Sequence, residues 1–464
     1  MKFLSWVLPS VLLGAGLPVV LGRSVPRATE PDSDPFYQPP AGFESKEPGT
    51  ILRTRPIVAA FFGILPNPVE AYQLLYRTTS INGSAIATVT TVFKPLIAKT
   101  DRFVSFQTAY DSSATVCDPS YSYQIGTPQT DLISSAEMLI IEAYLISGYI
   151  VASSDYEGPD AAFGPGRLSG MGVLDGIRAV TNFQSTLHFS TANPMVVGVG
   201  YSGGAIATGW AASLQPAYAP EIDIKGWVAG GTPANLTGTA DFIDGTLFSG
   251  FVLAVVAGLT KPSAYRADLL PLITSIVTPD GQTALDSANT KCAVDDIINF
   301  PGKSIKSTEF QSLGDGLWYD PTVAAILEKN TMGVNKDETP TAPVFMYHAT
   351  HDEIIPYANA TTLAEAWCSY GASVKFTTYG SGGHITTEVV AIVDALKFVS
   401  SAFAGTTESG CSTNTEFGNA LDPIALGLEL EPVLISLAQV LLLAGQDDSK
   451  VVSNLETLTS KVPA

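Results

Sequence analysis

Strand-like and helix-like segments alternate from about residue 71 to residue 401, and this alternation restricts the possible folds more than any other feature of the sequence. Short β-branched and apolar runs bounded by turn residues are typical of strands, and longer segments with helical periodicity lie between them. Such a chain builds a mostly parallel sheet with helices on both faces. We therefore predict an α/β fold. The predicted strands are YQLLYRTT, IATVTTVFK, FVSFQTAY, YIVASSD, MVVGVGY, IKGWVAGG, PVFMYHAT and SVKFTTYG, and the predicted helices are Ser134–Ile146, Met171–Phe183, Ala205–Leu214, Tyr357–Tyr370 and Thr386–Phe403.

The alternation stops between residues 236 and 339, where Leu, Ile and Ala are frequent and Pro is scattered. This composition indicates helices inserted between two strands of the sheet. Ligands bind at the carboxyl edge of such sheets, so we expect the insertion to form a cap or lid. The core is then predicted to comprise residues 51–235 and 340–412.

Both ends of the chain differ from this pattern. Residues 1–22 combine Lys2 with an apolar stretch and a small-residue exit, which is typical of a secretory signal peptide. A membrane anchor is the alternative, but we expect no transmembrane anchor in the mature, extracellular chain. Residues 23–50 read as a Pro-rich extended leader. The apolar tail, 413–464, is either a helix or flap docked on the domain or a surface that contacts lipid.

The charge balance excludes one class of partner. The 464 residues include 24 Lys and Arg against 44 Asp and Glu, a formal charge of −20. Such a surface repels phosphate backbones, so nucleic acid is not an expected partner.

The cysteines and sequons agree with secretion. Four cysteines in a secreted chain favour two disulfides, and the absence of a C-x-x-C pair gives no support to a zinc site. No metal or cofactor is expected. The cysteines are Cys117, Cys292, Cys368 and Cys411, and the candidate glycosylation sites are Asn82, Asn235 and Asn359.

Residues 200–204 read GYSGG and match the pattern G-x-S-x-G. A buried strand precedes the motif and a helix follows it, which is the context of a nucleophile held on a sharp strand-to-helix turn. The alternative is a glycine-rich turn where strand and helix pack closely. If Ser202 is the nucleophile, its weakly nucleophilic hydroxyl needs a base, normally histidine, and a carboxylate to orient the ring.

Four histidines allow the base to be chosen by elimination. His188 precedes the nucleophile strand, which the chain order Ser, Asp or Glu, His excludes for this type of turn. His348 lies within an apolar strand and reads as a core residue, and His351 reads as a residue that shapes its loop. His384 lies in a glycine-rich loop after a strand, so we predict that it is the base.

The carboxylate is predicted from the same logic. Asp352 lies just past the strand PVFMYHAT, at the edge where Ser202 and His384 are expected. Glu353 is the rival, since adjacent side chains face opposite ways. The three roles then follow in the required order on three strand-end loops.

With these residues assigned, the chain from about Asp34 to Cys411 resembles the fungal secretory lipase family typified by lipase A. The resemblance rests on five stretches, which are Tyr110–Ser112, Gly148–Gly166, the GYSGG turn, the HDEIIP loop and the GGH loop. It implies an α/β-hydrolase fold with a helical cap, and hydrolysis of lipid esters through an acyl-enzyme. We further expect the lipid ester to be bound at an oil–water interface and the chain to be a monomer.

The resemblance also implies roles for further residues. Gly203 would donate a backbone N–H to the oxyanion hole, and Asp111 would be the second donor. An acid can donate only when protonated, which requires a raised pKa; a turn or capping role is the alternative for Asp111. The family pattern pairs Cys117 with Cys292 and Cys368 with Cys411. The tail after Cys411 departs from the family's short flap.

Three functions are compatible with these residues. The first is a secreted lipase or carboxylesterase. The second is a serine peptidase on the same fold, which the apolar cap disfavours because a peptide requires polar contacts. The third, a non-catalytic carrier of hydrophobic ligands, gives no reason for the Ser, Asp and His arrangement.

Overall fold

The computed structural model describes residues 27–128 and 131–417. The predicted signal peptide and nearly all of the predicted tail lie outside these residues. The described strands are β1 (Ile51–Ile57), β2 (Ala60–Phe61), β3 (Leu65–Pro66), β4 (Glu70–Thr79), β5 (Ala85–Lys94), β6 (Lys99–Gln107), β7 (Tyr149–Ser154), β8 (Met195–Tyr201), β9 (Ile224–Gly230), β10 (Val344–Ala349), β11 (Val374–Tyr379) and β12 (Ser412–Glu416).

Helices fill most of the intervals between these strands. The described α-helices are α1 (Pro119–Ser122), α2 (Leu132–Ile146), α3 (Gly166–Asn182), α4 (Gln184–Leu187), α5 (Gly203–Tyr218), α6 (Leu236–Ile243), α7 (Gly250–Leu259), α8 (Arg266–Ile276), α9 (Pro279–Ala288), α10 (Ala293–Asn299), α11 (Pro321–Lys329), α12 (Tyr357–Tyr370) and α13 (His384–Ala404).

Ten of the strands form one sheet in the order β1-β4-β5-β7-β6-β8-β9-β10-β11-β12. The strands from β7 to β12 in this order run parallel, while β1, β4 and β5 pair antiparallel at one end. The mostly parallel sheet predicted from the sequence is confirmed. In such a sheet the carboxyl ends of β8, β10 and β11 meet at one edge.

Two hydrophobic clusters cover the two faces of this sheet. Helices α3, α5 and α12 contribute to one cluster, and α2 and α13 contribute to the other. The interior strands β7 and β10 are buried along their whole length, since helices cover them on both sides. This double burial explains why these strands read as continuous apolar runs.

The sequence did not predict the two edge strands of the ten-stranded sheet, β1 and β12. Strand β1 contains Arg53, Arg55 and Pro56, and β12 has the sequence STNTE with exposed side chains. An edge strand has one neighbour and a large exposed surface, so it tolerates proline and polar residues. Neither segment therefore carries the apolar pattern on which strand prediction depends.

The insertion between β9 and β10 contains helices α6 to α11. Its buried side chains belong to the same hydrophobic cluster as those of α3 and α5, so this segment packs on the core rather than folding around a separate centre. We call residues 236–339 the cap. A disulfide joins Cys117 of the core to Cys292 at the start of α10, and a second joins Cys368 to Cys411, the two pairs that the family resemblance implied.

The predicted leader is folded against the sheet where the structure describes it. Three short 3₁₀ turns lie between residues 31 and 45, and their aromatic side chains pack against a cluster of β4 and β5 residues. The Arg55 guanidinium lies 2.5 Å from the Asp34 carboxylate and stacks over the Phe36 ring. These contacts make this segment part of the domain.

Candidate active site

Ser202 occupies a sharp turn between β8 and α5. Its backbone has φ 52° and ψ −123°, a conformation that costs a non-glycine residue on the order of 1–3 kcal/mol. The turn also brings backbone segments very close together. A methyl group at Gly200 would lie 2.4 Å from the carbonyl oxygen of Gly204, and one at Gly204 would lie 1.9 Å from that of Gln107. Glycine is therefore required for packing at positions 200 and 204, and the nucleophile role of Ser202 stays a prediction.

His384 begins α13 and faces Ser202. Its Nε2 atom lies 2.8 Å from Oγ of Ser202, and its Nδ1 atom lies 2.7 Å from Oδ2 of Asp352. The backbone is held on both sides, since its N–H donates to the Glu353 carboxylate at 2.9 Å and its carbonyl oxygen accepts from the Tyr201 hydroxyl at 2.6 Å. These contacts leave the ring little freedom to turn away.

Asp352 is the carboxylate at the imidazole, and its rival Glu353 binds the backbone of the same histidine instead. The N–H groups of Ile354 and Ile355 donate to Oδ1 of Asp352 at 2.9 and 2.7 Å. Burial alone would raise the pKa of Asp352, but the charge of His384 and hydrogen bonds from two histidines lower it below its ordinary value. The carboxyl is therefore ionised at neutral pH.

The second of these histidines, His348, is a site residue that the sequence did not reveal. It is buried in β10, with Nε2 3.2 Å from Oδ2 of Asp352 and 3.0 Å from the carbonyl oxygen of Ile355. Its position in an apolar strand predicted a core residue, which it also is. His188 and His351, by contrast, are exposed.

Asp352 has a corresponding effect on His384. Burial lowers the pKa of His384, but the charge and hydrogen bond of Asp352 outweigh that effect and raise the pKa above its ordinary value. The imidazolium form that arises when His384 takes up a proton is thus stabilised.

Asp111 lies directly against the turn of Ser202. A methyl group at Gly203 would lie 1.6 Å from Oδ1 of Asp111, an oxygen that is buried and has no hydrogen-bond partner among the described residues. Asp111 itself has φ 46°. Burial raises its pKa to about 7, opposed by the charge of His384 and assisted by those of Asp131 and Glu388. Near neutral pH this carboxyl group can therefore carry a proton.

The turn that carries Asp111 is attached to the cap. The hydroxyl of Ser112 accepts from the N–H of Ala293 in α10 at 2.9 Å, and the hydroxyl of Ser113 donates to the carbonyl oxygen of Ala254 in α7 at 2.7 Å. Lys261 donates to the carbonyl oxygen of Ser113 at 2.6 Å. With the Cys117–Cys292 disulfide, these bonds fix the cap to one side of the site.

An apolar cavity opens at Ser202 and Gly203 and extends under the cap. Apart from Asp111, Ser202 and Thr239, its lining side chains are apolar. A second apolar cavity lies within the cap, and its lining includes Trp318 and Leu327. The two cavities share the lining residues Leu236, Ala240, Val252 and Val255.

The described residues bear on two further expectations. No three His, Cys, Asp or Glu side chains in this part of the chain converge to hold a metal ion, and none of its helices has the length and apolarity needed to cross a bilayer.

Of the three sequons, Asn82 is exposed in a turn, whereas Nδ2 of Asn359 is buried and the side chain of Asn235 accepts from the N–H of Gly238 at the start of α6.

Comparison with known proteins gives concordant matches. Residues 123–410 match the family described as secretory lipase. The chain is 44% identical over 400 residues to a secreted triacylglycerol lipase of Malassezia furfur (85% of this chain and 81% of the relative). It is 41% identical over 391 residues to one of Malassezia restricta (83% and 82%). The structure of Candida antarctica lipase A in its closed state superposes with a TM-score of 0.80 at 33% identity, covering 88% of this chain and 96% of that one.

The buried acids predict an unusual dependence of stability on pH. Burial raises the pKa values of Asp111, Asp131, Asp155 and Glu388 to about 7, so the folded chain holds protons that the unfolded chain releases above about pH 4. Their stabilising contribution is complete below the unfolded values and is lost as pH rises through about 7. Asp352, with a lowered pKa, acts in the opposite sense and only at more acidic pH.

We therefore expect the melting temperature to fall steadily between pH 5 and pH 8. Asp111→Asn removes one of these protons and is expected to make the decline shallower, by up to about 3 kcal/mol of unfolding free energy over this range. Differential scanning fluorimetry at constant ionic strength measures both. A melting temperature that rises with pH over this range would contradict the expectation.

Proposed function

Since the chain belongs to the secretory lipase family and has the α/β-hydrolase fold, we propose that it is a secreted lipase that hydrolyses triacylglycerols and related lipid esters with Ser202, His384 and Asp352 as catalytic triad. The observation that carries the proposal is the unbroken series of contacts from Ser202 through His384 to Asp352 at the mouth of an apolar cavity. Such a cavity accepts an acyl chain, whereas a peptide substrate requires polar contacts.

The proposed reaction proceeds through an acyl-enzyme. Oγ of Ser202 attacks the ester carbonyl carbon while its proton passes to Nε2 of His384. The bond from Nδ1 to Asp352 fixes the tautomer that can accept this proton. The tetrahedral intermediate collapses as the alcohol leaves with the proton from His384. Water, deprotonated by the same imidazole, then releases the fatty acid and restores Ser202.

Two donors are proposed for the negative oxygen of the tetrahedral intermediate. The backbone N–H of Gly203 is one of the unpaired donors at the start of α5. The carboxyl group of Asp111 is the other, which it can be only while protonated. A pKa of about 7 and a position against Gly203 support this role over that of a simple turn residue.

The surroundings support three further proposals. Exposed apolar side chains of the cap, such as Phe242, Leu247, Ile298 and Tyr319, favour contact with an oil–water interface. All three triad residues come from one chain, so a monomer suffices for the reaction. Asn82 is the sequon best placed to carry a glycan.

Ser202→Ala is expected to lower kcat for ester hydrolysis by at least about 10⁴-fold, because the nucleophile and the proton donor to His384 are both lost. The wild-type protein is expected to hydrolyse tributyrin and triolein emulsions and to leave a peptide p-nitroanilide intact. A pH-stat records ester cleavage and absorbance records anilide cleavage. Ester turnover that persists in Ser202→Ala would refute the nucleophile assignment, and anilide cleavage without ester cleavage would indicate a peptidase.

The role of Asp111 predicts a narrow pH optimum. The base His384 must be unprotonated, and its pKa is raised, whereas Asp111 must be protonated, and its pKa is about 7. In Asp111→Asn the amide donates at every pH, so the alkaline decline in kcat is expected to disappear. Asp111→Leu removes the donor and is expected to lower kcat about 10²- to 10³-fold at all pH values. An unchanged kcat in Asp111→Leu would assign Asp111 to the turn alone.

The two adjoining cavities predict which acyl chains fit. Ala240 lines both cavities, so Ala240→Phe is expected to place a phenyl ring in the space where they adjoin. The ratio of kcat/KM for p-nitrophenyl palmitate over butyrate should fall about tenfold or more, in line with the loss of several buried methylenes at about 0.8 kcal/mol each. Ala267→Phe, which makes the same change at an exposed position of the cap outside both cavities, is the matched control. An unchanged ratio in Ala240→Phe would show that acyl chains take another path.

A further inference from the structure

Two buried glutamates form a pair behind the active site. Glu137 belongs to α2 and Glu388 to α13, and their carboxyl groups lie close enough to share a hydrogen bond when one of them is protonated. Two carboxylates in such contact cannot both be ionised in a buried place, so the pair shares a proton. Neither residue belongs to the triad or to the proposed oxyanion hole.

One end of the pair holds the segment that leads to Asp111. Oε2 of Glu137 accepts a hydrogen bond from the backbone N–H of Ala109 at 2.7 Å. Ala109 precedes Asp111 by two residues, and Asp111 has the positive φ noted above. A methyl group at Gly204 would lie 3.5 Å from the same Ala109 nitrogen, so this bond lies immediately behind the turn of Ser202.

The other end of the pair belongs to the helix of the catalytic base. Glu388 follows His384 by four residues in α13, which places both on one face of the helix. The pair therefore bridges the Asp111 turn and the His384 helix through one short hydrogen-bonded path, from Ala109 to Glu137 to Glu388.

Within the described part of the chain, hydrogen bonds, and not ion pairs, stabilise the two buried glutamates. The titratable groups that face it are Asp111 and His384, together with tyrosines of the sheet and of the loop that follows β7. No lysine or arginine forms an ion pair with either glutamate among the described residues. The contacts that favour the pair are thus hydrogen bonds, and a buried carboxyl without them is costly.

We propose that Glu137 is a positioning residue, which holds the N–H of Ala109 and is itself held by Glu388, so that the Asp111 carboxyl stays at the oxyanion position while the same path anchors the helix of His384. This rests on the proposed ester hydrolysis. The role requires a side chain of the length of glutamate with one acceptor for Ala109 and one donor for Glu388. It does not require a negative charge.

Two single variants distinguish the effect of side-chain length at position 137 from the effect of its charge. Glu137→Gln keeps the length, accepts from Ala109 with its amide oxygen and donates to Glu388 with its amide nitrogen. Glu137→Asp keeps the carboxyl group but is about 1.5 Å shorter, so it cannot reach both partners. Glu142→Gln is the matched control, because Glu142 lies on the same helix and its carboxylate binds Asn67, outside the site.

The measurement is steady-state hydrolysis of p-nitrophenyl butyrate well below the melting temperature of each variant, with active serines counted by a fluorophosphonate probe. We expect kcat per labelled serine to fall about 10- to 100-fold in Glu137→Asp with KM nearly unchanged, as for a misplacement of about 1 Å. Glu137→Gln should stay within about threefold of the wild-type protein, and Glu142→Gln should match it.

The relative kcat values of Glu137→Asp and Glu137→Gln decide whether Glu137 is a positioning residue, even if both variants are less stable than the wild-type protein. Equal kcat in Glu137→Asp and the wild-type protein, or a loss in Glu137→Gln as large as in Glu137→Asp, would overturn the positioning role. A loss confined to KM would do so as well. If the wild-type protein itself cleaves no ester, the proposed function fails, and that result is distinct from any of these.

Discussion

The close approach of the Ser202 turn to the end of β6 is the constraint on which the rest of the site depends. The chain can place a serine at φ 52° above the sheet only because Gly200, Gly203 and Gly204 have no side chains, and Gly204 then touches the carbonyl group of Gln107. That contact brings the segment of Asp111 to Ser202. The cavity, His384 and the cap are all arranged around this point, and much of the cost of the strained turn is offset by the buried packing beneath it.

The sequence predicted the interior of the sheet and the triad for different reasons. Buried strands such as β8 and β10 are apolar throughout, so local composition suffices to find them, whereas the polar edge strands β1 and β12 carry no such signal. Ser202, Asp352 and His384 follow from a motif, an elimination among few histidines and a required chain order. Their catalytic roles remain predictions, although their side chains lie in mutual contact.

What the sequence could not supply are contacts between distant residues of ordinary type. Nothing local distinguishes Glu137 or Glu388 from the exposed acids of a chain with a formal charge of −20. His348 reads as a core residue, and only the curvature of the loop after β10 returns Asp352 to it. Glu353, weighed as the carboxylate of the triad, instead binds the histidine's backbone. Such pairings depend on tertiary packing, which a single sequence does not display.

The attachment of the cap to the Asp111 turn has a mechanical consequence. Helix α10 is joined to the core by the Cys117–Cys292 disulfide and by the bond from Ala293 to Ser112, and α7 is joined to it through Ser113. If the cap moved away as one rigid body, it would displace the turn of Asp111 relative to Ser202. The positions of α7 and α10 are therefore tied to that of Asp111, so that any rigid displacement of these two helices is transmitted to the turn beside Ser202.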